Sequence, residues 1–229
     1  MTWGGGLLAL RLEAYRAFVL AFAAGALVAS ALVDVIPDAL ELLEKSGAPL
    51  QYHQLLFVCC IGFLAFYLLE QITHNGTSPH DPTHAHASQA GLLGVTGLGI
   101  HSLLDGIAIG EAFHAGSGVG WIVALAVIVH KFADGVSAVS VMASTGRSAR
   151  AINLLLIPMS AAPLAGLAIQ AAVPLPLRLL AFALAWFAGV FLYLGAAALI
   201  PAAHAHSKSP WLPVATISGA ALVYVVSGR

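Results

Sequence analysis

Residues 101–110 read His-Ser-Leu-Leu-Asp-Gly-Ile-Ala-Ile-Gly, and residues 130–138 read His-Lys-Phe-Ala-Asp-Gly-Val-Ser-Ala. Each stretch puts a histidine four residues before an aspartate, and side chains four apart share one face of a helix. Each therefore presents an imidazole and a carboxylate together, in the middle of a long apolar run. Ionisable groups at such depth are costly and usually functional. Two neutral imidazoles and two carboxylates form a neutral set around a dication. His101, Asp105, His130 and Asp134 are thus candidate ligands for Zn²⁺, Fe²⁺, Mn²⁺, Co²⁺ or Cd²⁺, between which imidazole and carboxylate do not choose by type alone. The alternative is a pair of intrahelical hydrogen bonds that stitch a bundle together. One such pair favours that alternative; two matching pairs on adjacent segments favour the metal.

The elements that must position these residues are membrane spans. The chain is 60% hydrophobic and 8% charged, with a mean hydropathy of +0.93, whereas a soluble domain carries about a quarter charged residues. A bilayer-crossing helix needs roughly 20 apolar residues. Seven segments qualify: 15–37, 52–73, 91–113, 119–144, 151–172, 178–201 and 210–228. The expected fold is an all-α polytopic membrane protein, residues 1–229 forming a single transmembrane domain. No secretory leader is expected, because the first long apolar run is followed by an acidic stretch. Cys59 and Cys60 lie inside an apolar run and read as buried thiols. The net charge of −1 gives no reason to expect a nucleic-acid partner.

Connections between the segments are short, apart from residues 74–90. There His74, His80, His84 and His86 stand among Asn, Gly, Ser, Pro and Thr, the composition of a flexible loop. With a cytoplasmic N-terminus, Arg11, Arg16, Arg147, Arg150 and Lys208 fall inside and Lys45, Arg178 and Arg229 outside. Positive charge marks the cytoplasmic side. This orientation puts the His-rich loop in the cytoplasm, as a place to capture metal, and the C-terminus outside. The plasma (inner) membrane is the expected location.

Halfway along a membrane-crossing helix is a depth of about 15 Å. Both histidines fall near it, on neighbouring segments joined by a tight turn at Gly116 and Gly118. The chain also has internal symmetry: Ala24-Gly25 precedes Pro37 by the same interval as Ala188-Gly189 precedes Pro201. Spans 1–2 are thereby related to spans 6–7, and span 3 to span 4, as inverted repeats of the kind transporters use around a midplane site. Gly94, Gly97, Ala108 and Ala112, with the Gly106/Gly110 pair, suit close helix packing. The Ser137 hydroxyl is placed to hydrogen-bond to a ligand. Lys131, beside a proposed ligand, requires a counter-charge or a watery cavity; its ammonium is expected where a second cation would otherwise sit.

These motifs resemble the ZIP (Zrt/Irt-like) family of divalent metal transporters. The family pattern His-[Ser/Asn]-x-x-[Glu/Asp]-Gly-x-Ala-[Ile/Leu]-Gly is similar to His101–Gly110. A second pattern, His-[Lys/Glu]-x-[Pro/Ala]-[Glu/His]-Gly, is similar to His130–Gly135. Ala188-Gly189-Val190-Phe191-Leu192-Tyr193 with Pro201 matches a third, and Ala24-Gly25 to Pro37-Asp38 a fourth. The resemblance covers almost the whole chain, with the motifs in family order. It implies transport ligands at His101, Asp105, His130 and Asp134, and positions of a second metal at Ser102 and Lys131. Lys131 cannot ligate while protonated, so a single-metal site is implied. Asp34 falls where many members carry an ionisable residue that relays metal toward the outer mouth. The sequence departs from the family pattern in placing aspartate instead of glutamate at 105 and 134 and no acid after Pro201, and residues 1–14 are expected to be too short to supply the usual first span.

The implied function is movement of zinc or a similar ion toward the cytoplasm. Asp34, Asp38, Glu41 and Glu44 would form the outer path, with Glu111 and His114 either joining it or simply facing water. The partners are divalent metal ions and the lipid bilayer, with assembly as a homodimer left open. Two other classes compete. In a seven-span membrane-embedded zinc hydrolase, His101, Asp105 and His130 would hold a metal whose water attacks a lipid amide or ester, with Ser102 or Lys131 polarising the carbonyl. Ligands at mid-depth are far from headgroups, and inverted symmetry serves no purpose there. A metal sensor fits the His-rich loop but not the buried polar pairs.

Overall fold

Proline explains the shape of two of the long apolar helices. Pro lacks an N–H and collides with the carbonyl four residues before it. A computed structural model of the chain widens the helix just before each Ile-Pro, at Ile36-Pro37 and Ile200-Pro201, into a π segment: Ser30–Val35 and Tyr193–Leu199. The structure describes residues 2, 4, 15–47, 52–75, 85–144, 148–173 and 175–227. Inside its helices, the side chains of residues 73–94 and several between 115 and 147, including His130 and Ser137, lie outside the described set.

Seven helices follow one another among the described residues, with no strand. They are α1 Arg16–Lys45, α2 Tyr52–Asn75, α3 Ala85–Ala115, α4 Ser117–Ser144, α5 Ala149–Ala172, α6 Leu177–His206 and α7 Leu212–Ser227. Helices α1, α2 (over Tyr52–Ile72), α5 and α6 are long and apolar enough to cross a membrane. Several helix ends differ from the expected segment ends. Helix α1 continues through Asp38, Glu41 and Glu44 to Lys45, where the Lys45–Glu41 pair at 2.7 Å supports its last turn. Helix α3 begins at Ala85, so His86 has helical backbone, as does His74 at the end of α2; His80 and His84 lie outside the described residues.

The bundle is organised by close pairs: α1 with α7, α2 with α6, α3 with α5, and α3 with α4. Glycine permits three of these approaches, because a Cβ would strike the neighbouring backbone. Gly25 and Gly219 meet Thr216 and Phe22 across α1–α7. Gly62 and Gly189 meet Trp186 and Cys59 across α2–α6. Gly106 and Gly166 meet Pro163 and Leu103 across α3–α5. The buried centre includes Leu20, Leu27, Ala31, Met142, Leu184 and Phe191. Large apolar residues such as Phe57, Leu68, Leu164, Trp211 and Val225 face outward, as they do in a helix surrounded by lipid. Cys59 is buried but Cys60 is exposed; neighbouring residues are about 100° apart around a helix, so an adjacent pair does not share the inward face.

Candidate metal centre

Helix α3 brings His101, Ser102 and Asp105 to the centre of the bundle, and α4 brings Lys131 and Asp134 against them. All five are buried. His101 Nε2 lies 3.3 Å from Asp105 Oδ1, the contact that i, i+4 spacing dictates. The imidazole is held from the other side by Phe191 of α6, edge to face with ring centroids 4.6 Å apart. Ligand atoms of His101, Asp105 and Asp134 all come within 4.8 Å of one another, close enough to surround one dication. The fourth expected ligand, His130, has its backbone on α4 one turn before Asp134, and its side chain lies outside the described set, as does that of Ser137.

Lys131 supplies the counter-charge of this cluster. Its Nζ stands 2.5 Å from Asp105 Oδ2 and 2.5 Å from Asp134 Oδ2, and it donates to Ser102 Oγ at 2.9 Å. The ammonium thus bridges α4 to α3 through Asp105 and Ser102, and pairs with Asp134 on its own helix. Buried charge of this kind persists only when it is paired and hydrogen-bonded. A second consequence concerns ligand geometry. Asp105 turns Oδ2 to the ammonium and Oδ1 toward His101, so its carboxylate can join a cation on each side. Lys131 fills the space between Ser102, Asp105 and Asp134.

A cavity of about 160 Å³ reaches this cluster from one side. Its walls include Asp34, Asp38 and Glu41 of α1, His101 and Asp105 at its inner end, and Glu111 of α3. At 1.5 Å per residue, Glu111 stands about 9 Å from Asp105 along the helix. Asp34 is hydrogen-bonded to Ser227 of α7. His114 is exposed beyond Glu111, with Nδ1 3.8 Å from Glu111 Oε2. Four of the residues expected on an outer path therefore line one vestibule, and His114 stands next to it.

Three residues that the sequence reading passed over have evident partners. Gln170 of α5 is 1% exposed. It donates from Nε2 to Glu111 Oε2 at 2.6 Å and accepts the Leu175 N–H at 3.3 Å. Glu70 near the end of α2 accepts from the Tyr193 hydroxyl in the π segment of α6. A lone polar residue in an apolar run was the available signal for both Gln170 and Glu70; Tyr193 was read only as part of a motif.

Two overlapping stretches of the chain, residues 11–95 and 76–226, match the family model described as ZIP zinc transporter.

Proposed function

The chain belongs to the ZIP family of zinc transporters, and on that premise we propose that it carries a transition-metal dication toward the cytoplasm through His101, Asp105, His130 and Asp134. Membership makes it an integral membrane transporter of zinc or other divalent metals and not an enzyme. The hydrolase reading and the sensor reading fall away on that ground.

The observation that carries the site assignment is the convergence of His101, Asp105 and Asp134 at the inner end of a vestibule walled by carboxylates. Asp34, Asp38, Glu41 and Glu111 concentrate dications at the mouth, since a cleft lined by one sign of charge raises local counter-ion concentration. At the centre, each aspartate gives one oxygen to Lys131 and offers the other to metal, with His101 and His130 completing the set. One dication then binds per chain, with the ammonium in place of a second. Ser137 supports the ligands by hydrogen bonding.

Two long helices with matching π segments, α1 and α6, flank the α3–α4 pair and belong to inverted repeats. Rocking of one repeat against the other exposes the midplane site to each side in turn. The positive-charge balance supports an N-terminus in the cytoplasm, and the plasma membrane is the proposed location. The vestibule then opens outward, and His74, His80, His84 and His86 receive the metal inside.

The test is uptake into proteoliposomes under an inward Zn²⁺ gradient. Wild type is expected to load the vesicles, and the double variant His101→Ala/Asp134→Ala to lose uptake by at least tenfold while remaining monodisperse. Equal rates for the two proteins would exclude this site as the route.

A further inference from the structure

A carboxylate inside a membrane-spanning helix marks a functional position unless its partner accounts for it. Glu70 is such a group, within the Tyr52–Ile72 span, and one of its partners is unusual. Tyr193, which donates its hydroxyl to Glu70, belongs to the π segment of α6. The phenol ring is buried against Phe63, Phe66 and Tyr67 of α2, with centroids at 5.3, 5.6 and 6.4 Å.

The position of this pair relative to the metal centre matters more. Helix α6 starts at the vestibule, which Leu177 and Leu184 line. It passes the metal centre at Phe191, against His101, and reaches Tyr193 immediately beyond. Helix α2 runs alongside it in the same sense, since Gly62 meets Trp186 and Glu70 meets Tyr193. The pair therefore lies past the metal centre, on the side away from the vestibule.

An equivalent pair occupies the other mouth. Asp34, in the π segment of α1, is bonded to Ser227 at the end of α7. Gly219 of α7 meets Phe22 of α1 as Gly62 of α2 meets Trp186 of α6. Ser227 follows Gly219 by the interval at which Glu70 follows Gly62. Each π-bearing helix is thus tied to its parallel partner at one end of the path. The tie at the vestibule leaves a cavity open, and the tie at Glu70 closes among aromatic rings.

We propose that Glu70 and Tyr193 form a gated cation position on the far side of the metal centre, with Tyr193 as the cap and Glu70 as the oxygen ligand that takes the departing dication. This rests on the transport reading above. In the closed state the hydroxyl occupies the carboxylate and the ring fills the gap between α2 and α6. When the π segment of α6 shifts, the hydroxyl leaves and the carboxylate faces the metal. A divalent cation suits an oxygen ligand of this kind. Transfer requires no bond chemistry, only exchange of one hydrogen bond for one coordination contact.

The experiment compares Zn²⁺ uptake kinetics of wild type, Glu70→Gln and Tyr193→Phe in proteoliposomes, alongside Zn²⁺ bound per chain in detergent. Glu70→Gln keeps the shape but loses the anionic ligand: Vmax is expected to fall at least tenfold, with KM and bound metal retained. Tyr193→Phe keeps the ring packing and loses only the cap: Vmax is expected to rise at least twofold. A merely structural contact would be weakened alike by both substitutions, so the opposite directions are diagnostic. The proposal is overturned if Glu70→Gln transports at the wild-type rate, if Glu70→Gln binds less metal, or if Tyr193→Phe fails to exceed wild type. Wild-type protein that binds Zn²⁺ but moves none removes the transport reading and this proposal with it; wild type that transports beside an indifferent Glu70→Gln removes this proposal alone.

Discussion

Lys131 decides the electrostatics of the centre, because one ammonium answers two buried aspartates. Removing one partner from a buried, hydrogen-bonded charge set costs about 3–5 kcal/mol, and an apolar replacement leaves both carboxylates facing one another. Lys131→Met is therefore expected to melt well below wild type when metal-free and to regain most of that loss in excess Zn²⁺, since a ligand that binds only the native state stabilises it. Elemental analysis should then find two metal ions per chain where wild type holds one. A variant that binds a single ion and gains no more from Zn²⁺ than wild type does would remove the account of Lys131 as a resident cation. Gln170 acts on the vestibule instead. Gln170→Leu leaves the Glu111 carboxylate without its amide donor and the Leu175 N–H without its acceptor. The expected result is a several-fold higher KM for uptake with Vmax within about twofold of wild type; a fall in Vmax at constant KM would show that Gln170 matters for movement rather than capture. The four-residue histidine–aspartate spacing was legible from sequence because a helix enforces it. The partners of Lys131 and Gln170 were not, because contacts between helices depend on rotation about each axis, which spacing along one helix does not determine.

At the scale of elements, apolar run length gave the order and number of the helices, while their ends and bends followed local chemistry. The acidic stretch after Pro37 looked like a connection because Asp38, Glu41 and Glu44 are charged, yet it continues α1. The π segment just before Pro37 accommodates its missing N–H and ring, and the i, i+4 Glu41–Lys45 pair adds support. Nothing in composition announced the π segments, although equal glycine-to-proline intervals in α1 and α6 marked the place. Gly106 and Gly110 pack closely, as the small-residue pattern implied, whereas Gly97 makes only ordinary contact and Gly94 lies outside the described set; their partner helix was not predicted. Gly106 and Gly110 of α3 face α5: a Cβ at Gly106 would strike the Pro163 carbonyl, and one at Gly110 would come 2.8 Å from Gln170 Cγ. Gly106 is next to Asp105 in the chain, so spreading α3 from α5 also displaces a proposed ligand. Gly106→Val is expected to lower the melting temperature, since overpacking typically costs about 1–3 kcal/mol, and to weaken Zn²⁺ binding in the protein that remains folded. Thermal unfolding with a parallel binding titration checks both; retained affinity in a destabilised variant would separate the packing of α3 from the geometry of the centre.

At the scale of the whole molecule, a vestibule on one side of the centre defines an orientation that labelling can test. The vestibule carboxylates belong to the C-terminal halves of α1 and α3, whereas Lys208 follows the C-terminal end of α6, which runs the other way. In the proposed topology these are opposite faces of the membrane. Glu41 is exposed and lines the vestibule, and Lys208 is exposed as well, so a cysteine at either position reaches water. With Cys59 and Cys60 replaced by serine, a membrane-impermeant maleimide added to intact cells is expected to label Glu41→Cys and to spare Lys208→Cys until the cells are opened. Saturating Zn²⁺ should slow labelling of Asp38→Cys, which stands deeper in the cavity, because a dication held among these carboxylates obstructs the reagent and shifts the protein away from the outward-open state. The reverse labelling pattern would turn the vestibule toward the cytoplasm. The Tyr193–Glu70 position would then face the exterior, and the net movement of metal through the same centre would have to be argued in the opposite sense.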